Sequence, residues 1–112
     1  MMKGGDSIDE DGSAQVVFKA IEPSQEVPFE CVLDLDDFGV VLGIEVLDFK
    51  RQIGVKPPPY DPSKGMPRWS YDEEIDAFYV RFVDRHSPRQ EVREGSAFVD
   101  PEGSVVSLEA KV

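Results

Sequence analysis

The sequence predicts a mainly β protein: two repeated antiparallel β-meanders packed face to face with pseudo-twofold symmetry. They would form a sandwich or a barrel, with one short helix possible in the linker between them. Three observations carry that expectation. The stretch DDFGVVLGIE (Asp36–Glu45) returns as DPEGSVVSLE (Asp100–Glu109), 64 positions later. Apolar residues alternate with polar ones at a period of two, the signature of a strand with one dry face. Turns of the form Asp-x-x-Gly separate these stretches.

The repeat extends outward from its clearest part. SIDEDGSAQVVFKAIE (Ser7–Glu22) resembles SYDEEIDAFYVRFVD (Ser70–Asp84), which sets Val16, Phe18 and Ala20 against Phe78, Val80 and Phe82, and Lys19 against Arg81. QEV stands at Gln25–Val27 and again at Gln90–Val92. With one residue inserted in the first turn of the first copy and three in the loop Arg85–Gln90, residues 6–47 and 69–112 become two copies of one unit. Residues 48–68 form the linker, and the whole is a single domain. A repeat of this kind marks a supersecondary unit that cannot bury its apolar face alone.

Each element has a local reason. In VPFECVLDL, Val27, Phe29, Cys31, Leu33 and Leu35 alternate with Pro28, Glu30, Val32 and Asp34. Leu42, Ile44 and Val46 continue the pattern against Gly43 and Glu45, and Val106, Leu108 and Ala110 repeat it against Ser107 and Glu109. The turns Asp9–Gly12, Asp36–Gly39 and Asp100–Gly103 place an Asp that accepts backbone N–H bonds first and a Gly that takes positive φ last. Asp72-Glu73-Glu74-Ile75 is a fourth such turn without its Gly. Each unit therefore reads as strand, hairpin, strand, loop, strand, hairpin, strand. In the linker, Asp48 can cap one or two helical turns that end at Gly54. Beyond it Pro57, Pro58, Pro59, Pro62 and Pro67 impose an extended path outside any sheet.

Composition removes several function classes. The chain of 112 residues is one domain's worth, and its formal charge of −11 repels phosphates. DNA binding is excluded on that ground and RNA binding disfavoured. The charge is uneven, −10 over residues 1–48 and −1 over 49–112. The single cysteine, Cys31, allows no intramolecular disulfide and fits a reducing cytoplasm. An acidic start without an apolar stretch argues against a signal peptide, and no run approaches the roughly 20 apolar residues of a membrane span. The expectation is a cytoplasmic monomer or weak homodimer without cofactor or membrane contact.

Candidate chemistry is sparse. Counting from Asp34, a calcium loop would take Asp36, Gly39 and Glu45 at positions 3, 6 and 12. Phe38 then stands where an oxygen ligand is required, so a hairpin turn explains the same residues and no metal is expected. His86 has no orienting partner of a catalytic kind in sequence, and Cys31 falls on the apolar face, where a thiol is inert. One Cys and one His assemble no zinc site. Pro57-Pro58-Pro59-Tyr60 matches a short ligand of WW-type domains, but it also suits a plain linker. The remaining feature is the cluster Arg81, Arg85, Arg89 and Arg93, with His86 at the tip of the same loop. In an otherwise acidic chain it is the candidate partner-binding surface, for a protein that presents carboxylates; the alternative partner is a basic protein docking on the acidic first repeat.

At YDEEIDAFYVRFVD, with the later hairpin DPEGSVVSLE, the chain resembles the bacterial domain-of-unknown-function 2283 family. Tyr71, Asp72, Glu73, Glu74, Asp76, Ala77, Asp100, Gly103 and Glu109 carry the resemblance, and Asp36, Gly39, Gly43, Ile44 and Glu45 match its closing strand in the first copy. The family brings no catalytic residues, and the association of some relatives with small toxin-like proteins implies an antitoxin-like partner binder. The expected function is a non-catalytic protein-interaction module; the alternative is a small-ligand or weak metal-binding β protein.

Overall fold

In the computed structural model, which describes residues 13–112, the alternating stretches become strands of one continuous antiparallel sheet. The strands are β1 (Ser13–Val17), β2 (Gln25–Leu35), β3 (Val41–Leu47), β4 (Arg68–Asp72), β5 (Ala77–Arg81), β6 (Arg89–Val99) and β7 (Val105–Lys111), with one short helix, α1 (Phe49–Ile53). Their order in the sheet is β1-β7-β6-β2-β3-β5-β4, and the sheet curls into half a barrel. The two longest strands, β2 and β6, pair along their whole length at its centre, with Glu30 opposite Glu94 at the midpoint.

Two expectations are corrected. The halves of the chain meet edge to edge through the β2–β6 ladder, within one sheet, instead of face to face. They are also not meanders: β1 leaves its neighbour in sequence and pairs with β7, while β5 pairs with β3. The physical reason is burial. A twisted sheet of seven strands can roll and cover its own apolar face, so no second sheet is required. The loops after β1 and β5 are of equal length, so the three-residue insertion expected in Arg85–Gln90 is not seen. The hairpin expected at Asp9–Gly12 lies outside the described residues.

The concave face holds the core. Val16, Leu33, Ile44, Phe78, Val80 and Leu108 have no accessible surface, while Phe18 and Phe82 pack partly buried at its margin. Leu42 and Val106 are buried as well, each the extra residue of a β-bulge facing Asp34/Leu35 and Phe98/Val99. The bulge carbonyls join the exchanged strands. Leu42 O accepts from Phe82 N–H at 2.9 Å and Val83 N–H at 3.3 Å; Val106 O accepts from Phe18 N–H at 2.8 Å and Lys19 N–H at 3.3 Å.

The helix forms at the expected place, but its cap is remote. Asp48 takes a left-handed conformation (φ 54°) and makes no side-chain cap. The carboxylate of Asp76, in the β4–β5 turn, accepts from Lys50 N–H at 2.8 Å and Arg51 N–H at 3.2 Å instead. This satisfies donors that a helix start leaves orphaned. Gln52 then clasps the edge of β2 where β3 has departed: its side-chain oxygen accepts from Glu30 N–H at 2.7 Å and its nitrogen donates to Glu30 O at 3.0 Å. The proline stretch is folded into the protein. Pro58 O accepts from the Trp69 indole at 2.9 Å, and Tyr60 OH donates to Gly65 O at 2.6 Å while its ring lies 5.1 Å from Trp69.

Candidate functional site

The two repeated turns are built alike. Asp36 Oδ1 accepts from Phe38 N–H at 2.8 Å and Val40 N–H at 2.9 Å; Asp100 Oδ1 accepts from Glu102 N–H and Ser104 N–H, both at 2.9 Å. Gly39 and Gly103 close the turns at φ 84° and 85°, a region that favours glycine. A cation then covers each carboxylate, Arg85 on Asp36 at 2.6 Å and Lys19 on Asp100 at 3.5 Å. Both carboxyls are held below the usual range, chiefly by the N–H groups of Val40 and Ser104 respectively.

A folded pKa below the unfolded one gives stability that is present above about pH 3.9, the value of a free Asp side chain. That stability is lost as pH falls through the lowered folded value. The urea midpoint of the wild type is therefore expected to drop on acidification below about pH 4, and that of the double variant Asp36→Asn/Asp100→Asn to drop less. Identical acid profiles for the two proteins would show that these carboxyls do not govern acid stability.

The β5–β6 loop settles against the Asp36 turn. Ser87 Oγ lies 3.1 Å from Leu35 O, Arg85 spans to Asp36, and a cleft between loop and turn is lined by Asp36, Asp37, Phe38, Arg85, His86 and Pro88. Phe38 is 91% exposed at the rim. The expected cluster is only partly gathered here. Arg85 and His86 line the cleft; Arg89, at the start of β6, pairs with Glu91 at 3.7 Å. Arg93 also pairs with Glu91 and stands farther along β6, opposite Cys31. Arg81 forms no ion pair among the described residues; it donates to Tyr79 OH at 2.8 Å and Arg85 O at 3.2 Å and lies 5.1 Å over the Tyr79 ring. Three of the four arginines thus balance carboxylates of this chain.

A polar network on the outer face was not foreseen. Asp34 is buried although alternation puts it on the solvent side. It accepts from Gln90 Nε2 at 2.8 Å and from the Tyr79 hydroxyl, and it is thereby linked to Arg81. Burial and the Asp34 contact push the Tyr79 phenol up to about 12. Gly43 stands between Asp34 and Arg81 in register, and its missing side chain lets the phenol reach across β3. A glycine in mid-strand opposite an acid was the available signal.

Other candidate chemistry is located as follows. Cys31 is buried, and burial pushes its thiol up to about 12. Asp34 and Asp36, from the calcium-loop count, have oxygens committed to hydrogen bonds, and no group of three or more His, Cys, Asp or Glu side chains among the described residues could hold a metal ion. No helix among them is long and apolar enough to cross a membrane. Comparison with protein-family models, curated proteins and solved structures finds no match to this chain.

Proposed function

We propose that this protein is a non-catalytic protein-interaction module, antitoxin-like in kind, made by internal duplication of a unit akin to the domain-of-unknown-function 2283 family. The pairing registers support the duplication. Except for β4–β5, whose counterpart would fall outside the described residues, the ladders correspond under a shift of 64 positions. Ser13↔Lys111 in β1–β7 answers Leu47↔Ala77 in β3–β5, and Val32↔Glu45 answers Ser96↔Glu109. The pair Glu30↔Glu94 maps onto itself, as a pseudo-twofold axis requires. The chain then behaves as a dimer in one polypeptide in which β1 and β5 are exchanged between the halves.

The observation that carries the interaction reading is the difference between the two corners. Where the first copy has Ile21, Glu22, Pro23, Ser24 and Gln25, the second has Arg85, His86, Ser87, Pro88 and Arg89, seated on a turn that bears a bare phenylalanine. Exposed aromatic and arginine side chains are the residue types that anchor protein interfaces. Arg81 and Arg93 steer from farther off, and a carboxylate-bearing partner competes with Asp36 and Glu91 for Arg85 and Arg89. Capture of host proteins on immobilised wild type, followed by binding measurements with the purified partner, tests this. Arg85→Ala/Arg89→Ala is expected to weaken binding and flatten its salt dependence, because exposed charges are screened beyond about 8–10 Å at physiological salt. Equal affinity and equal salt slope in the variant would return these arginines to internal charge balance.

A further inference from the structure

We infer that the apolar corner formed by Phe38, Val40 and Val83 is a docking site for an extended, proline-containing segment of a protein partner. This rests on the interaction reading above and specifies the partner's form. Under the 64-residue shift, Phe38, Val40 and Val83 correspond to Glu102, Ser104 and Lys19. At that counterpart corner the chain's own linker is in place: Pro57, Pro58 and Pro59 line a cleft with Lys19, Gly103 and Ser104. One corner of the duplicated fold thus already stands beside an extended proline segment, supplied in cis, with which it shares a cleft.

The other corner has the same backbone and no such cover among the described residues. Gly39 repeats the turn of Gly103, and Val83 N–H donates to Leu42 O as Lys19 N–H does to Val106 O. Its side chains have changed in one direction. The positions that are Glu, Ser and Lys beside the linker, with Ser104 and Lys19 partly buried, are Phe, Val and Val here, with Phe38 91%, Val40 43% and Val83 39% exposed. Single exposed apolar residues are ordinary, but three that replace polar counterparts at one corner make a binding patch.

A proline-rich segment suits that patch because it lacks N–H donors and asks no backbone pairing of the surface. It is also held extended before binding, which lowers the entropy lost on docking against aromatic surface. Arg85, its side chain half exposed over Asp36, and His86 stand beside the cleft to meet acidic residues flanking the prolines.

The test uses the full chain and a fluorescent nonaproline peptide with a glutamate at each end, followed by anisotropy. Saturable binding is expected, weakened about tenfold by Phe38→Ala, as for truncation of an anchoring aromatic. Val83→Lys, which copies the covered corner, should weaken it similarly, and Glu102→Ala should leave it unchanged. All three positions are on the surface, and an unchanged urea midpoint shows that each variant is folded. Absence of saturable binding, or equal binding by wild type and Phe38→Ala, overturns the inference. A captured partner that requires Arg85 and Arg89 but binds Phe38→Ala normally overturns it too, while the interaction reading stands.

Discussion

Replacing Phe78 by alanine is expected to lower stability by about 3–5 kcal/mol, the range for truncating a buried aromatic ring. Phe78 has no accessible surface, and its ring lies 4.9 Å from Phe49 of α1 and 6.0 Å from Phe18 beyond β1. Its neighbours in register are Val46 on β3 and Tyr71 on β4. The side chain thus packs against the helix, the residue that follows β1 and the strands on either side of β5. Domains of this size have about 5–15 kcal/mol in all, so the variant should be close to unfolding at 37 °C. Urea denaturation gives the measurement: the midpoint falls while the slope stays that of the wild type. A loss below about 1 kcal/mol would show that the core closes over the missing ring.

Gly95→Ala is expected to cost about 3 kcal/mol, the upper end for overpacking. Gly95 lies where β6 begins to pair with β7, opposite Ala110 on one side and Phe29 on the other. A Cβ there would press into the carbonyl oxygen of Glu109, and would stand 3.0 Å from Phe29 Cζ and 3.2 Å from Ala110 Cα. The ring could give way, but the two backbone contacts cannot without opening the β6–β7 ladder. Gly95→Ala combined with Phe29→Leu separates these causes. If the double variant regains most of the stability, the ring was the obstacle and the backbone contacts are unimportant. The expected result is little recovery, with faster hydrogen exchange along β7 than in wild type.

Much of the fold was legible in short-range patterns. Alternation in VPFECVLDL places Phe29, Cys31, Leu33 and Leu35 on the buried side, as observed. The Asp-x-x-Gly turns at Asp36 and Asp100 form with the expected side-chain hydrogen bonds, and the helix falls at Phe49–Ile53. The candidate site was legible only as composition. The arginines stood out against an acidic chain, but their spacing does not reveal that Arg89 and Arg93 share Glu91 or that Arg85 covers Asp36. In sequence Phe38 is only a residue that spoils a calcium loop; its exposure depends on what fails to pack over it.

The sequence by itself determined the β class, the turn positions and the short helix, because alternation and turn chemistry act over a few residues. Only the tertiary structure decided which strands pair. That choice placed β1 on β7 and β5 on β3, joined the halves along β2 and β6, buried Asp34 beneath Tyr79, and gave α1 its cap from Asp76. Each of these brings together residues far apart in the chain. Their partners are selected by the area a curled sheet can bury and by the need to satisfy every enclosed polar group, and neither is a property of any short stretch.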